Sequence, residues 1–154
     1  MAKHLHELTA ILADNTDRAA KAVRIVQALR AAGHYRWVGI YDVDLQSGTV
    51  SNVAWDGPNA PAFPTFMSSE GLTSRAIAEK KTVNVGNVAA APQYLVALDS
   101  TRSEIIVPVM NERNETVVGT IDVESEKLNA FDSKAQSFLE ECARVLRPFW
   151  AVSS

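Results

Sequence analysis

The stretch Ser103–Ser125 contains two runs rich in β-branched residues on either side of a polar turn, and this pattern predicts a β-hairpin. Every second residue of the two runs lies on the same face, and on one face these residues are apolar or glycine: Ile105, Val107, Val109, Val117, Gly119, Ile121 and Val123. A uniformly apolar sheet face has to be covered by other elements. The chain is therefore restricted to folds in which helices cover one side of an antiparallel sheet.

The other face of the same hairpin carries three carboxylates, Glu104, Asp122 and Glu124. If the turn is centred near Arg113, paired residue numbers sum to about 226 and Glu104 lies opposite Asp122. Carboxylates opposite one another repel, and their burial without a partner is costly. They could bind the ammonium or another cationic group of a ligand. Alternatively they lie in water at the strand ends, or are neutralised by a nearby basic residue: Arg102, Arg113 or Lys127.

Length and composition predict one globular domain that spans residues 1–154, since 47% of the residues are hydrophobic and 21% are charged. The net charge of -3 gives no general attraction to nucleic acid or to anionic lipid, so we expect neither as a partner. No apolar segment is long enough to cross a membrane, and charges near the N-terminus interrupt any signal-peptide core. A cytoplasmic location is expected.

Cysteine and histidine are too few for most metal and redox chemistry. Cys142 is the only cysteine, which excludes an internal disulfide and a cysteine-based metal cluster. It belongs to an apolar helical stripe and is expected to be a buried core residue. The three histidines, at positions 4, 6 and 34, form no metal-binding pattern. We therefore expect no metal and no cofactor.

The periodicity of the chain predicts an α+β fold with helices at both ends and a central antiparallel sheet. Three parts are expected along the chain: N-terminal helices in 1–32, sheet and pocket loops in 35–125, and a C-terminal helix in 132–150. Within the middle part we predict strands at 35–42, 49–55 and 81–85, a short helix at 71–80, and a loop at 89–102. The terminal helices would cover one sheet face, and loops with the short helix would cover a ligand pocket on the other.

Two finer predictions concern the helices. An apolar face of the second N-terminal helix is predicted to include these residues: Ala19, Ala22, Val23, Val26 and Leu29. Ser133 and Gln136 have the spacing of a capping box at the start of the C-terminal helix. Near its end, Leu146, Phe149 and Trp150 suit either core packing or a homodimer interface.

Five segments match one known family in order along the chain: Trp37-Val-Gly39-Ile-Tyr41, Glu70-Gly71-Leu72, Asp99-x-x-x-Ser103-Glu104-Ile-Ile-Val-Pro108, Gly119-Thr-Ile-Asp122-Val-Glu124-Ser125 and Phe131-Asp132. Through these segments the chain resembles the GAF domain family and, within it, the branch of free methionine-(R)-sulfoxide reductases. The resemblance implies that Trp37 and Tyr41 form an aromatic wall. It also implies that Glu104, Asp122 and Glu124 hold the ammonium group of a substrate.

The catalytic positions of that branch depart from the family pattern. Where the reductases carry cysteines, this chain is expected to have Phe63, Thr73 and Leu98. Sulfoxide reduction by this route needs a thiolate to attack sulfur and a second thiol to resolve the intermediate. The resemblance therefore implies a retained binding site without reductase activity.

A pocket can also be argued from the residues themselves. Trp37, Gly39 and Tyr41 share strand parity, so two aromatic side chains project together with a glycine between them that allows close approach of a ligand. The predicted helix start at Gly71, Leu72 and Thr73 could offer free N–H groups to an anion. Carboxylates, aromatic rings and a helix start together suit an amino-acid-like zwitterion. Alternatively, Trp37 and Tyr41 are ordinary sheet core.

Three functions follow from these observations. The first is a stand-alone GAF domain that binds a small molecule as a non-catalytic sensor or regulatory module, is not expected to be an enzyme, and signals as a homodimer. The second is a degenerate relative of the reductases with residual or altered activity, in which Thr73 and the carboxylates act on an amino-acid-like substrate. The third is a structural dimerisation module with a collapsed pocket.

Overall fold

A computed structural model describes residues 1–91 and 100–151 of the chain. Helices lie at both ends of this part and strands lie between them. The helices are α1 (Ala2–Ala13), α2 (Arg18–Gly33), α3 (Gly71–Glu79), α4 (Ser133–Val145) and α5 (Arg147–Ala151), with a short 3-10 helix at Val88–Ala90. The strands are β1 (Trp37–Asp44), β2 (Thr49–Asp56), β3 (Thr65–Met67), β4 (Val83–Val85), β5 (Ser103–Met110) and β6 (Val117–Ser125).

The strands form one antiparallel sheet in the order β3-β2-β1-β6-β5-β4. Its centre is the predicted hairpin, but the predicted register was wrong. Glu104 pairs with Glu124, and Asp122 pairs with Ile106. The register also shifts between Val109 and Met110, so the turn is not the symmetric one assumed from the sequence. Since the error is two residues, the side chains on the paired residues before this irregularity keep their predicted faces. Beyond it the prediction was wrong, because Val117 pairs with Met110 and it is Val118 that packs against the main core.

The apolar face of the sheet is covered by the terminal helices, as predicted for an α+β fold. Strand residues Ile105, Val107 and Ile121 lie in one cluster with Leu8 of α1 and other helix residues. The remaining helix residues of this cluster come from α1, α2 and α4 and from the chain that follows α4: Ile11, Ala22, Ile25, Val26, Leu29, Phe138, Leu139, Cys142, Ala143, Leu146, Phe149 and Trp150. This cluster is the main core of the described part of the chain.

The helix boundaries have local causes. Asp17 caps α2 by accepting a hydrogen bond from the N–H of Ala20, at 2.7 Å. Asp132 caps α4 in the same way by accepting from the N–H of Ala135, at 2.8 Å. The predicted capping box was wrong, because Asp132 precedes Ser133 and takes the capping position. The predicted C-terminal helix is interrupted at Leu146, which separates α4 from α5.

Other differences concern burial and short elements. Val23 is 46% exposed on α2, and Ile25 is buried in its place. Ala19 is also exposed, so the apolar face of this helix is rotated from the predicted one. The strand β3 was not predicted, because only three residues pair with β2.

The second face of the sheet is covered by α3 and connecting loops. Leu72 and Ala76 of α3 pack on Val83 of β4 and Ile106 of β5. The predicted loop at 89–102 falls partly outside the described residues, and its described start is the end of the 3-10 helix. This second face therefore has a smaller apolar cluster than the helix-covered face.

The apolar residues near the end of the chain were predicted either to pack in the core or to form a homodimer interface. Leu146, Phe149 and Trp150 are buried within the single chain, so core packing is the correct one of their two interpretations. The homodimer itself stays a prediction. None of the described helices is long and apolar enough to cross a membrane.

Candidate functional site

Three carboxylates meet on the second face of the sheet, beneath the side that α3 and the loops cover. Glu104 extends from β5, while Asp122 and Glu124 extend from the neighbouring strand β6. One oxygen from each lies within 4.8 Å of the others. Their exposed fractions are only 3%, 7% and 0%. The structure thus brings together three acidic residues that the sequence predicted to share a face.

Hydrogen bonds hold part of this carboxylate cluster, which we define as Glu104, Asp122 and Glu124. Glu104 is hydrogen-bonded to both other carboxyl groups. The hydroxyl of Thr101 donates to Oε1 of Glu124 at 2.5 Å. Oδ1 of Asp122 is buried and has no hydrogen-bond partner in the described part of the chain. An acceptor in this position suits a donor that comes from a ligand.

The electrostatics of the cluster favour protonation. Burial raises the pKa of Glu104 well above its ordinary value, and the charges of Asp122 and Glu124 raise it further. Burial also raises the pKa of Asp122 to about 6. The cluster therefore holds protons at pH values where exposed carboxyl groups are ionised, and a cationic ligand that displaces those protons would restore a favourable balance of charge.

The predicted internal cations do not neutralise Glu104 or Asp122. Arg102, Arg113 and Lys127 are exposed, and no ion pair joins a basic side chain to either residue within the ranges 1–91 and 100–151. The sequence of the intervening segment, PQYLVALD, contains no lysine, arginine or histidine. The explanation by an internal salt bridge therefore fails for these two carboxyl groups.

The two aromatic residues lie on the strand next to the cluster. Trp37 of β1 pairs with Glu124, and Gly39 pairs with Asp122. Both Trp37 and Tyr41 are buried, with Tyr41 packed edge-on against Phe66 at a ring-centroid distance of 5.8 Å. Burial raises the pKa of Tyr41 well above its ordinary value, and the three carboxyl groups raise it further, which indicates that its phenol lies near them.

The role predicted for Gly39 was wrong. A Cβ at Gly39 would lie 2.3 Å from Cη2 of Trp37, so the space beside this glycine is filled by the indole ring. The same ring lies against Gly57, and its Nε1 donates to the carbonyl oxygen of Asn59 at 3.0 Å. Trp37 is therefore fixed between the sheet and the loop that follows β2, and Gly39 admits the indole ring.

The predicted helix start is present in α3. Gly71 has a positive φ of 70°, a conformation that favours glycine, and Leu72 and Thr73 are buried. Glu70 precedes the helix, and its side chain accepts no hydrogen bond from the first N–H groups of α3. Through Leu72, this helix packs on Ile106, which lies two residues after Glu104.

The three positions where the reductases are expected to carry cysteines differ in their burial. Phe63 is 47% exposed, Thr73 is buried in α3, and Leu98 lies outside the described residues. Cys142 is buried in the main core, as predicted, and burial raises the pKa of its thiol to about 12. It is therefore unsuited to form a thiolate nucleophile.

Two hydroxyl groups near the cluster were missed by the sequence reasoning. Thr101 binds Glu124, and its position just before β5 gave no periodic signal. Thr120 is 1% exposed, and its hydroxyl has no hydrogen-bond partner among the residues described. It shares strand parity with Asp122, which could have identified it. Carboxylate oxygens are also the ligands preferred by hard divalent cations, so the cluster could hold such an ion.

Comparisons with known proteins agree with this architecture. The chain is 27% identical to GAF domain-containing protein A of Dictyostelium discoideum over 142 residues, which cover 92% of this chain and 87% of that protein. It is 27% identical to free methionine-R-sulfoxide reductase of Saccharomyces cerevisiae, over 71% of this chain and 60% of that one.

A solved structure of free methionine-R-sulfoxide reductase from Neisseria meningitidis in complex with its substrate is also similar. It has a TM-score of 0.86 and 30% identity, and the match covers 99% of this chain and 89% of that one. The sequence profile of the GAF domain matches residues 17–147. The profile, the sheet and the order of its strands agree, and the chain belongs to the GAF domain family.

Proposed function

We propose that this GAF domain binds a small amino-acid-like molecule without catalysing its conversion, and that the carboxylate cluster receives the ammonium group of that molecule. The observation that carries the proposal is the burial of three carboxyl groups within 4.8 Å of one another. Neither Glu104 nor Asp122 has an ion-pair partner in the described chain. A ligand cation supplies the charge that the protein does not.

The hydrogen-bonding capacity of the cluster supports an ammonium group. An ammonium ion has three donors, and Glu104, Asp122 and Glu124 provide one acceptor group each. Oδ1 of Asp122 is available to such a donor. The uncapped start of α3 supports the carboxylate end of a zwitterion, since free N–H groups and the helix dipole attract anions.

A non-catalytic role is supported by the cysteine content. The relatives named as reductases are similar over most of this chain, but reduction by a thiol pair needs two reactive cysteines. This chain has only Cys142, whose thiol is buried in the core. The domain therefore binds its ligand without reducing it, and this binding serves a regulatory role.

The binding proposal can be tested by thermal shift with free amino acids, methionine sulfoxide and simple amines. A ligand at 100 times its dissociation constant should stabilise the protein by about 2.7 kcal/mol. We expect the shift to disappear in the double variant Glu104→Gln/Asp122→Asn. The matched control is Glu112→Gln/Glu115→Gln, which replaces two acidic side chains in the exposed β5–β6 turn and should keep the response.

Two further experiments distinguish this proposal from a metal site and from an enzyme. Calcium, magnesium and manganese are tested with and without a chelator, and stabilisation by a metal alone would assign the cluster to a cation site. Methionine-(R)-sulfoxide is tested for turnover with a thiol reductant. Turnover that persists in Cys142→Ser would contradict the non-catalytic role, whereas absence of any ligand response would favour a structural module.

A further inference from the structure

A concave surface lies away from the carboxylate cluster, where α4 passes the open edge of β5. It encloses about 410 Å³ and is lined by the end of α3, the middle of β5 and the last turns before the C-terminus. None of its lining residues belongs to the proposed amino-acid site. We call this surface the basic groove and define it by Lys80, Lys81, Arg144 and Arg147.

The basic groove carries a net positive charge that its own residues do not neutralise. Its four cations face one acidic lining residue, Glu140. Glu140 already accepts hydrogen bonds from Thr82 at 2.5 Å and from Gln136 at 3.2 Å. Neither Lys80 nor Lys81 forms an ion pair within the described ranges. The chain as a whole has a net charge of -3, so this local positive charge is opposite in sign to the net charge of the protein.

The cations lie on two walls. Lys80 and Lys81 follow α3, whereas Arg144 and Arg147 lie at the end of α4 and the start of α5. Nη2 of Arg147 donates to the side-chain oxygen of Asn114 at 3.1 Å, a neutral partner that leaves its charge intact. Arg144 pairs with Glu141, which does not line the groove. An anion between the two walls would be reached from both sides.

The floor of the groove is apolar and comes from β5. Val107, Pro108 and Met110 line it beyond Ile106, where the pairing with β4 ends. An open strand edge could accept an added peptide strand, but Pro108 has no N–H donor and makes this edge a poor template. A compact ligand with an apolar part therefore fits the floor better than an extended peptide.

We propose that the basic groove binds a small organic phosphate, with its phosphate groups between the lysine and arginine walls and its organic part on the floor formed by β5. The volume lies within the range of small-molecule sites. Arginine and lysine are the side chains that bind phosphate most effectively. The proposal goes beyond the amino-acid site and does not depend on it.

Isothermal titration calorimetry with ADP and with pyrophosphate tests the proposal, since both probes are polyphosphates and only ADP carries an organic part. We expect ADP to bind more tightly. Lys80→Gln/Lys81→Gln and Arg144→Gln/Arg147→Gln should each weaken ADP binding by about tenfold or more. Lys80→Arg/Lys81→Arg should retain it. Circular dichroism and thermal unfolding establish that each variant is folded.

The matched control is Lys3→Gln/Lys134→Gln, which removes two exposed charges outside the groove. This variant should bind ADP like the wild type, and so should Glu104→Gln/Asp122→Asn. If the control lost as much affinity for ADP as the groove variants, the loss would reflect the overall charge of the protein and the proposal would be overturned. Absence of ADP binding to the wild type would also overturn it. Equal affinity for ADP and pyrophosphate would overturn the role of the apolar floor.

Discussion

The two faces of β5 and β6 are similarly hidden from water but differ in chemistry. Ile105 and Ile121 face the helices and are fully buried, while Glu104 and Glu124 face the other way on the same strands and are 3% and 0% exposed. Burial of the isoleucines removes apolar area from water and stabilises the fold. Burial of the carboxyl groups is unfavourable unless a proton or cation accompanies them. Stability is therefore concentrated on one face, and the proposed recognition site lies on the other.

The largest effect is expected from truncating the helix-covered face. Ile121→Ala should lower the free energy of unfolding by about 2–5 kcal/mol, because Ile121 is fully buried in the main core. Ile106→Ala is the matched truncation on the other face and should cost less, since its cluster is smaller. Urea denaturation measures both, and a larger loss for Ile106→Ala would contradict the comparison.

The next largest effect is the pH dependence of stability that comes from the buried carboxyl groups of the second face. The pKa of Asp122 is raised from an ordinary 3.8 to about 6, so the native state binds protons more tightly than the unfolded chain. This contribution to stability is fully present below about pH 4 and is lost as pH rises through about 6, a change of about 3 kcal/mol. Glu104 acts in the same direction.

Glu104→Gln/Asp122→Asn removes this titration. In the absence of ligand, the double variant should be more stable than the wild type at about pH 7, and the difference should shrink towards about pH 4. Denaturant unfolding across this range measures the difference, with Glu112→Gln/Glu115→Gln as the control. If the double variant is the less stable protein at neutral pH, the carboxyl groups have a stabilising partner and the proposed recognition face loses its electrostatic basis.

The contrast between the faces could be predicted from the sequence, because strand alternation assigns each residue to a side. The assignment of the three carboxylates survived the wrong register, since an error of two residues leaves them on the same face. It failed at Val117, because the irregularity after Val109 brings Val118 against the main core instead. The pairing of Glu104 with Glu124 could not be predicted. It depends on the geometry of the turn and on the irregularity between Val109 and Met110.

The shape of the site was less predictable than its composition. Alternation placed Glu104, Asp122 and Glu124 together, but it could not reveal that the ring of Trp37 covers Gly39. That position depends on Gly57 and Asn59 in an irregular loop, which no periodic pattern describes. Thr101 likewise reaches Glu124 from outside the strand.

A smaller effect is expected from Thr101→Val, which keeps the shape of the side chain and removes the hydroxyl donor to Glu124. Loss of a hydrogen bond to a carboxylate should cost about 1.5–3 kcal/mol at neutral pH. Urea denaturation at neutral pH measures this cost, and an unchanged free energy of unfolding would show that the hydrogen bond does not stabilise the fold.

The smallest effect compares one glycine from each face. In Gly119→Ala the new Cβ would lie 2.2 Å from Nε1 of Trp150 on the helix side, and in Gly39→Ala it would lie 2.3 Å from Cη2 of Trp37 on the other. Each substitution should destabilise by about 1–3 kcal/mol, because a buried indole has to move. Only Gly39→Ala should also weaken the response to an amino-acid ligand, since its neighbour across the strands is Asp122. Thermal shift with and without ligand measures both quantities on each variant. Equal loss of ligand response in the two variants would mean that recognition depends on the whole sheet, because Trp150 also donates to the carbonyl oxygen of Tyr41.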